Sequence, residues 1–121
     1  GRLPDPEPDR RVGDPERGRA TYSSSSCIGC HAIAGNPMSM GVIGPNLTHV
    51  GSRFTLGAGL YPNDARHLAL WIKNARLMKP GSIMPTLGKG QHDPVTKQTM
   101  SVGALDDQQI ADIVAYLQAL K

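Results

Sequence analysis

The sequence predicts a small all-α domain of three or more helices, with a short β-hairpin inserted near residues 87–103. Three observations carry that reading. A helix-start signal stands at residues 14–16, an apolar stripe at helical spacing runs within residues 63–77, and a capped amphipathic segment closes the chain.

In the first element, Asp14 can cap, Pro15 suits the first turn and Glu16 faces the positive end of the helix dipole. The helix is expected to continue through "RGRATYSSSSCIGC" to Cys30. A long loop rich in Gly, Pro and Asn follows, "AGNPMSMGVIGPNLTHVGSRFTLGAGLYP", and a loop of that length in a small domain has something to wrap. The second helix fits "NDARHLALWIKNARL", with Asn63 as cap and Leu68, Trp71, Ile72 and Ala75 on one stripe; Pro80-Gly81 stops it. The third starts at Asp106, which with Gln109 makes a capping-box pattern, and Ile110, Ile113, Val114, Leu117 and Leu120 form its apolar face. Between them, "TLGKGQHDPVTKQTMSVGA" has glycines at both ends and Asp93-Pro94 inside, which suits a hairpin.

Residues 1–13 read differently. "RLPDPEPDRR" holds three prolines and six charged residues without apolar periodicity, the composition of a semi-rigid tether, although a frayed terminus has the same look. The domain then occupies residues 14–121. The chain opens on Gly rather than Met, as expected of a piece processed or cut from something longer, and residues 1–13 do not read as a signal peptide. A net charge of +3 without a Lys/Arg block excludes a nucleic-acid partner of the usual basic kind. No window is apolar for long enough to span a bilayer. With five aromatic residues in the chain, a large apolar cofactor would help fill the core.

The chemistry concentrates at Cys27, Cys30 and His31. C-x-x-C-H is the attachment signature of covalent haem. On a helix, positions i, i+3 and i+4 share a face, so two thioethers can hold a porphyrin edge while the imidazole meets the iron. A redox dithiol would want a strand ahead of the motif and a βαβ frame, and neither is visible. Structural zinc would need a fourth ligand from His49, His67 or His92, none of which forms a second paired cluster.

A second axial ligand separates electron transfer from ligand binding. Met38 and Met40 follow the anchor too closely to reach the far face, Met78 closes a helix as a packing residue, and Met100 lies in the inserted hairpin. Met84 differs. In "KPGSIMPTL" it stands between Pro80-Gly81 and Pro85, and proline holds the residue before it extended, so a stiff loop can present the thioether.

Together, "CIGCH", "GPNLTHVGSR" and "KPGSIMP" resemble the class I c-type cytochromes over residues 14–121. The resemblance implies a helical fold around one haem c, bound through Cys27 and Cys30, with His31 and Met84 as axial ligands. It implies that the Pro45 carbonyl accepts the His31 Nδ1–H, and that Arg53, Tyr61 and Trp71 reach the propionates. For Trp71, an ordinary core position on its helix stripe is the alternative. It also implies that the first and last helices pack together, Gly18 and Tyr22 meeting Tyr116 and Leu117.

More narrowly, "GPNLTHVGSRFTLGAG" and "LALWIKNARLMKPGSIMP" resemble the cytochrome c domain fused to subunit II of caa-type haem-copper oxygen reductases. That likeness implies a relay of single electrons from a small soluble donor protein to the dinuclear copper domain of the parent subunit. The domain would work inside cytochrome c oxidase without a catalytic residue of its own. It would face the periplasm, reaching the membrane only through an upstream part. The chain departs from that pattern in residues 88–102, an insertion that either shields the haem edge or shapes the docking surface, or is simply tolerated at the surface. A free periplasmic cytochrome c is the alternative function, and a haem sensor or peroxidase-like site with a labile Met84 is a third.

Overall fold

Four helices and one two-stranded hairpin make up the computed structural model, which describes residues 12–121. The tether proposed for residues 1–13 lies, up to residue 11, outside the described residues.

Helix α1 (Pro15–Ser23) starts as expected, the Asp14 carboxylate accepting from the Glu16 and Arg17 N–H groups. It does not run on to Cys30. Ser24 caps it, and the motif cysteines occupy a separate single turn, α2 (Cys27–Cys30). The serines account for the break. The Ser24 and Ser25 hydroxyls both donate back to the Thr21 carbonyl, at 3.1 and 2.6 Å, replacing the ladder that would have continued the helix.

Helix α3 (Ala65–Met78) is capped by Asp64 rather than Asn63. Either side chain could cap, but the Asn63 amide is committed elsewhere, donating to the Val50 and Arg53 carbonyls at 2.8 and 2.9 Å. Leu68, Ile72 and Ala75 of the expected stripe are buried, and Trp71 is half-buried. Asn74 interrupts the helix with φ −158° and ψ 74°, so the last turn is set at an angle to the rest. Helix α4 (Asp107–Gln118) carries the capping box in both directions. Ile110, Ile113, Val114 and Leu117 are buried in the core, with Leu120 packed at its margin.

The regular hairpin is not in the insertion. Strands β1 (Thr55–Leu56) and β2 (Tyr61–Pro62) pair antiparallel inside the long loop. Residues 88–102 double back with one antiparallel bridge, His92 to Thr99, turning at a left-handed Lys97 (φ +64°). The Asp93 N–H to Gln98 carbonyl and Met100 N–H to Gln91 carbonyl bonds, both 2.8 Å, flank that bridge, and the Asp93 carboxylate builds the turn beyond it by accepting from the Val95 and Thr96 N–H groups.

Helices α1 and α4 cross at backbone distance. A Cβ placed on Gly18 would lie 1.8 Å from the Asp112 carbonyl oxygen, so only glycine permits the approach. Tyr22 and Tyr116 meet beside that crossing, ring centroids 5.5 Å apart. Its far end is closed by Asp112, a buried carboxylate that accepts from the Asp14 N–H at 2.9 Å, Arg17 Nε at 3.2 Å and Gln108 Nε2 at 2.9 Å. Burial works to raise its pKa, but Arg17 and the other donors outweigh burial and hold it below the usual carboxylate range.

A carboxyl group whose pKa is depressed on folding stabilises the fold above its unfolded pKa, and that stabilisation fades as pH falls through the folded one. Asp112→Asn is therefore expected to lower Tm at neutral pH by about 5 °C. The loss should shrink toward zero as the solution is acidified, as thermal melts across a pH series would record.

Candidate haem site

The anchor is built from α2 and the two loops that fold over it. His31 leaves the helical turn in extended conformation, its N–H bonded to the Cys27 carbonyl at 2.9 Å. Its own carbonyl receives the Ser39 hydroxyl at 2.7 Å and the Gly41 N–H at 3.0 Å, so both lone pairs are used. Its ring is fixed by the Pro45 carbonyl, 2.7 Å from Nδ1. A carbonyl can only accept, so Nδ1 carries a proton, and in the neutral ring Nε2 is the nitrogen with the free lone pair. The loop is tight against this ring: a Cβ on Gly44 would fall 2.5 Å from His31 Cε1.

The helix pair behind the site reaches it through hydroxyls. Tyr22 Oη lies 2.8 Å from Ser39 Oγ. Because Ser39 gives its one proton to the His31 carbonyl, Tyr22 is the donor in that contact. Burial, the largest influence, pushes the Tyr22 phenol up to about 12, and it remains a donor across the physiological range. Asn36, buried, donates to Tyr116 Oη at 3.0 Å and to Ser23 Oγ at 3.1 Å. These contacts carried no signal in the sequence, since neither Asn36 nor Ser39 belongs to a motif.

Cys27 and Cys30 are free and half-buried on one turn. Burial pushes the Cys27 thiol up to about 11, the opposite of the depressed value that makes a nucleophilic dithiol. Among the described residues, no three His, Cys, Asp or Glu come together to hold a metal ion. His49 instead sets its Nδ1 2.9 Å from the Lys121 carbonyl, and His67 pairs with Asp64 at 2.7 Å.

The remaining predicted residues are placed as follows. Arg53 donates to the Asn46 carbonyl at 2.6 Å, one residue beyond Pro45, and so braces the loop that orients His31. The Tyr61 hydroxyl is given to the Met78 carbonyl at the end of α3. Trp71 packs its ring against Gly57, where a Cβ would come within 2.9 Å. Met84 is half-buried after the left-handed Gly81 (φ +92°), while Met78 is buried in the core and Met38 and Met40 are exposed. The segment after Met84 is tied to α3: the Leu87 and Gly88 N–H groups bond the Lys73 carbonyl, and Thr86 Oγ1 donates to Asn74 Oδ1 at 3.0 Å.

The profile of the cytochrome c family matches residues 15–121. The chain belongs to that family. Its curated relatives include cytochrome c oxidase subunit 2 of Alkalihalophilus pseudofirmus, 29% identical over 105 residues, which are 87% of this chain and 25% of that one. Subunit 2 from Bacillus sp. (strain PS3) is 29% identical over 116 residues, 91% of this chain and 28% of the relative. The cytochrome c domain thus spans about a quarter of the length of these relatives. Among solved structures, SoxXA from P. pantotrophus superposes with a TM-score of 0.66 at 27% identity, covering 93% of this chain and 85% of that one.

Membership implies electron transfer by a covalently bound haem c, and the residues present fit that group. Two free thiols stand three positions apart on one turn, followed by an imidazole whose Nδ1 faces the Pro45 carbonyl. Val42, Ile43, Phe54, Leu60 and Ile83 are apolar side chains left exposed on the loops that follow the anchor and precede Met84. An apolar group bound between those loops would cover such surface. No helix among the described residues is long and apolar enough to cross a membrane.

Proposed function

We propose that this cytochrome c domain holds one haem c by thioether bonds from Cys27 and Cys30, with His31 Nε2 and Met84 as its axial ligands. The observation that carries the reading is the 2.7 Å contact from His31 Nδ1 to the Pro45 carbonyl, which fixes the tautomer a metal-binding imidazole needs. When bound, the haem supplies a reversible one-electron change at an iron with no open position. The chain's own contribution is rigidity. Arg53 braces the Asn46 carbonyl beside Pro45, Ser39 holds the His31 backbone, and the Met84 loop is tied to α3, so little moves when the charge changes.

The domain is an electron relay of the oxidase subunit II kind. A small reduced donor protein loses one electron to it, and it passes that electron to an oxidised dinuclear copper centre; no bond is made or broken. The subunit 2 relatives support this assignment. The place of action is the periplasmic side of a bacterial inner membrane, with any membrane attachment supplied by an upstream part of the protein.

Met84→Ala is expected to abolish the methionine-sulfur charge-transfer band of the oxidised haem-loaded protein, whereas Met78→Leu and Met100→Leu should keep it. The reverse pattern would reassign the ligand. For the relay, stopped-flow mixing of the reduced domain with an oxidised soluble dinuclear copper domain should re-oxidise it with one-to-one stoichiometry. A domain that stays reduced beside the copper protein, yet exchanges electrons with small soluble cytochromes, would point to a free shuttle instead.

A further inference from the structure

Residues 88–102 fold back onto α3 beside the segment that carries Met84, and two side chains of α3 touch both. Asn74, buried, donates from Nδ2 to the His92 carbonyl at 2.9 Å, while its Oδ1 accepts the Thr86 hydroxyl at 3.0 Å. One amide thus links the insertion to the residue two positions after Met84. Arg76 pairs its Nη1 with the buried Asp93 carboxylate at 2.7 Å, and its Nη2 lies 3.5 Å from the Ile83 carbonyl, one residue before Met84. Arg76 Nε is buried without a partner among the described residues, so this guanidinium depends on Asp93 for its compensation. The Asp93 side chain is itself fixed, accepting the Val95 and Thr96 N–H groups through Oδ1.

We propose that Asn74, Arg76 and Asp93 are positioning residues for the methionine loop, and that residues 88–102 are a buttress that holds this loop closed. The proposal rests on the reading of Met84 as the axial ligand. Among the described residues, the segment 80–85 makes one backbone bond, Ser82 N–H to the Lys79 carbonyl at 3.1 Å. A loop so poor in its own hydrogen bonds opens easily unless something outside it supplies the restraint. The buttress supplies it from both sides, through Thr86 after Met84 and the Ile83 carbonyl before it. The break of α3 at Asn74 belongs to the same device, since Asn74 Oδ1 also accepts the Leu77 N–H at 3.3 Å and spans the kink.

The test is the binding of imidazole to the oxidised haem-loaded chain, which competes with the loop for the iron. Asp93→Asn keeps the turn acceptor but removes the charge facing Arg76, and Thr86→Val removes one hydroxyl at nearly constant shape. Both are expected to tighten imidazole binding by about tenfold or more. Ile113→Val, in the core of α4, destabilises the whole fold and is expected to leave imidazole affinity unchanged. If Asp93→Asn and Thr86→Val bind imidazole no more tightly than Ile113→Val, the buttress is overturned while Met84 remains the ligand. If the unmutated oxidised protein lacks the methionine-sulfur band, the ligand assignment fails and the buttress with it.

Discussion

The orientation of one imidazole is the constraint on which the rest of the structure depends. His31 is restrained at its N–H by the Cys27 carbonyl, at its carbonyl by Ser39 and Gly41, and at its ring by Pro45. A histidine free to rotate would present either nitrogen, and half of its orientations would point a protonated one at a metal. Placing a carbonyl 2.7 Å from Nδ1 removes that choice before any ligand arrives. The glycine at position 44 follows from the same demand, because a side chain there would occupy the space of the ring.

Two scaffolds serve the two sides of the site. The α1–α4 crossing, made close by Gly18 and closed by Asp112, delivers the Tyr22 and Tyr116 hydroxyls to the loop that follows His31. On the other side, α3 and the residues it holds carry the Met84 segment. Neither scaffold contributes a proposed metal ligand. Their work is to convert helix packing, which is strong and non-directional, into hydrogen bonds that fix direction.

What the sequence made legible was local. The C-x-x-C-H spacing, the Asp106–Gln109 capping box and the apolar faces of α3 and α4 are each written within a few residues, and the structure carries them. The mistaken details share a cause. The continuous helix through the serines and Asn63 as a cap were both overruled by competing partners. In the first the winner was nearby, the Thr21 carbonyl; for Asn63 it was the distant Val50 and Arg53 carbonyls. Asn74 and Arg76 had no signature at all, because a polar residue on a helix looks like an ordinary exposed position until the segment covering it is known, and Asp93 was legible only as a turn residue.

In the proposed electron relay both axial positions are filled by this chain, so that electrons pass and nothing else binds. The most direct measurement is the visible spectrum of the haem-loaded chain in its oxidised and reduced states, before and after carbon monoxide is added. Six-coordinate, low-spin spectra are expected in both states, with the reduced spectrum unchanged on mixing with carbon monoxide. A high-spin spectrum, or rapid formation of a carbon monoxide adduct, would contradict that relay.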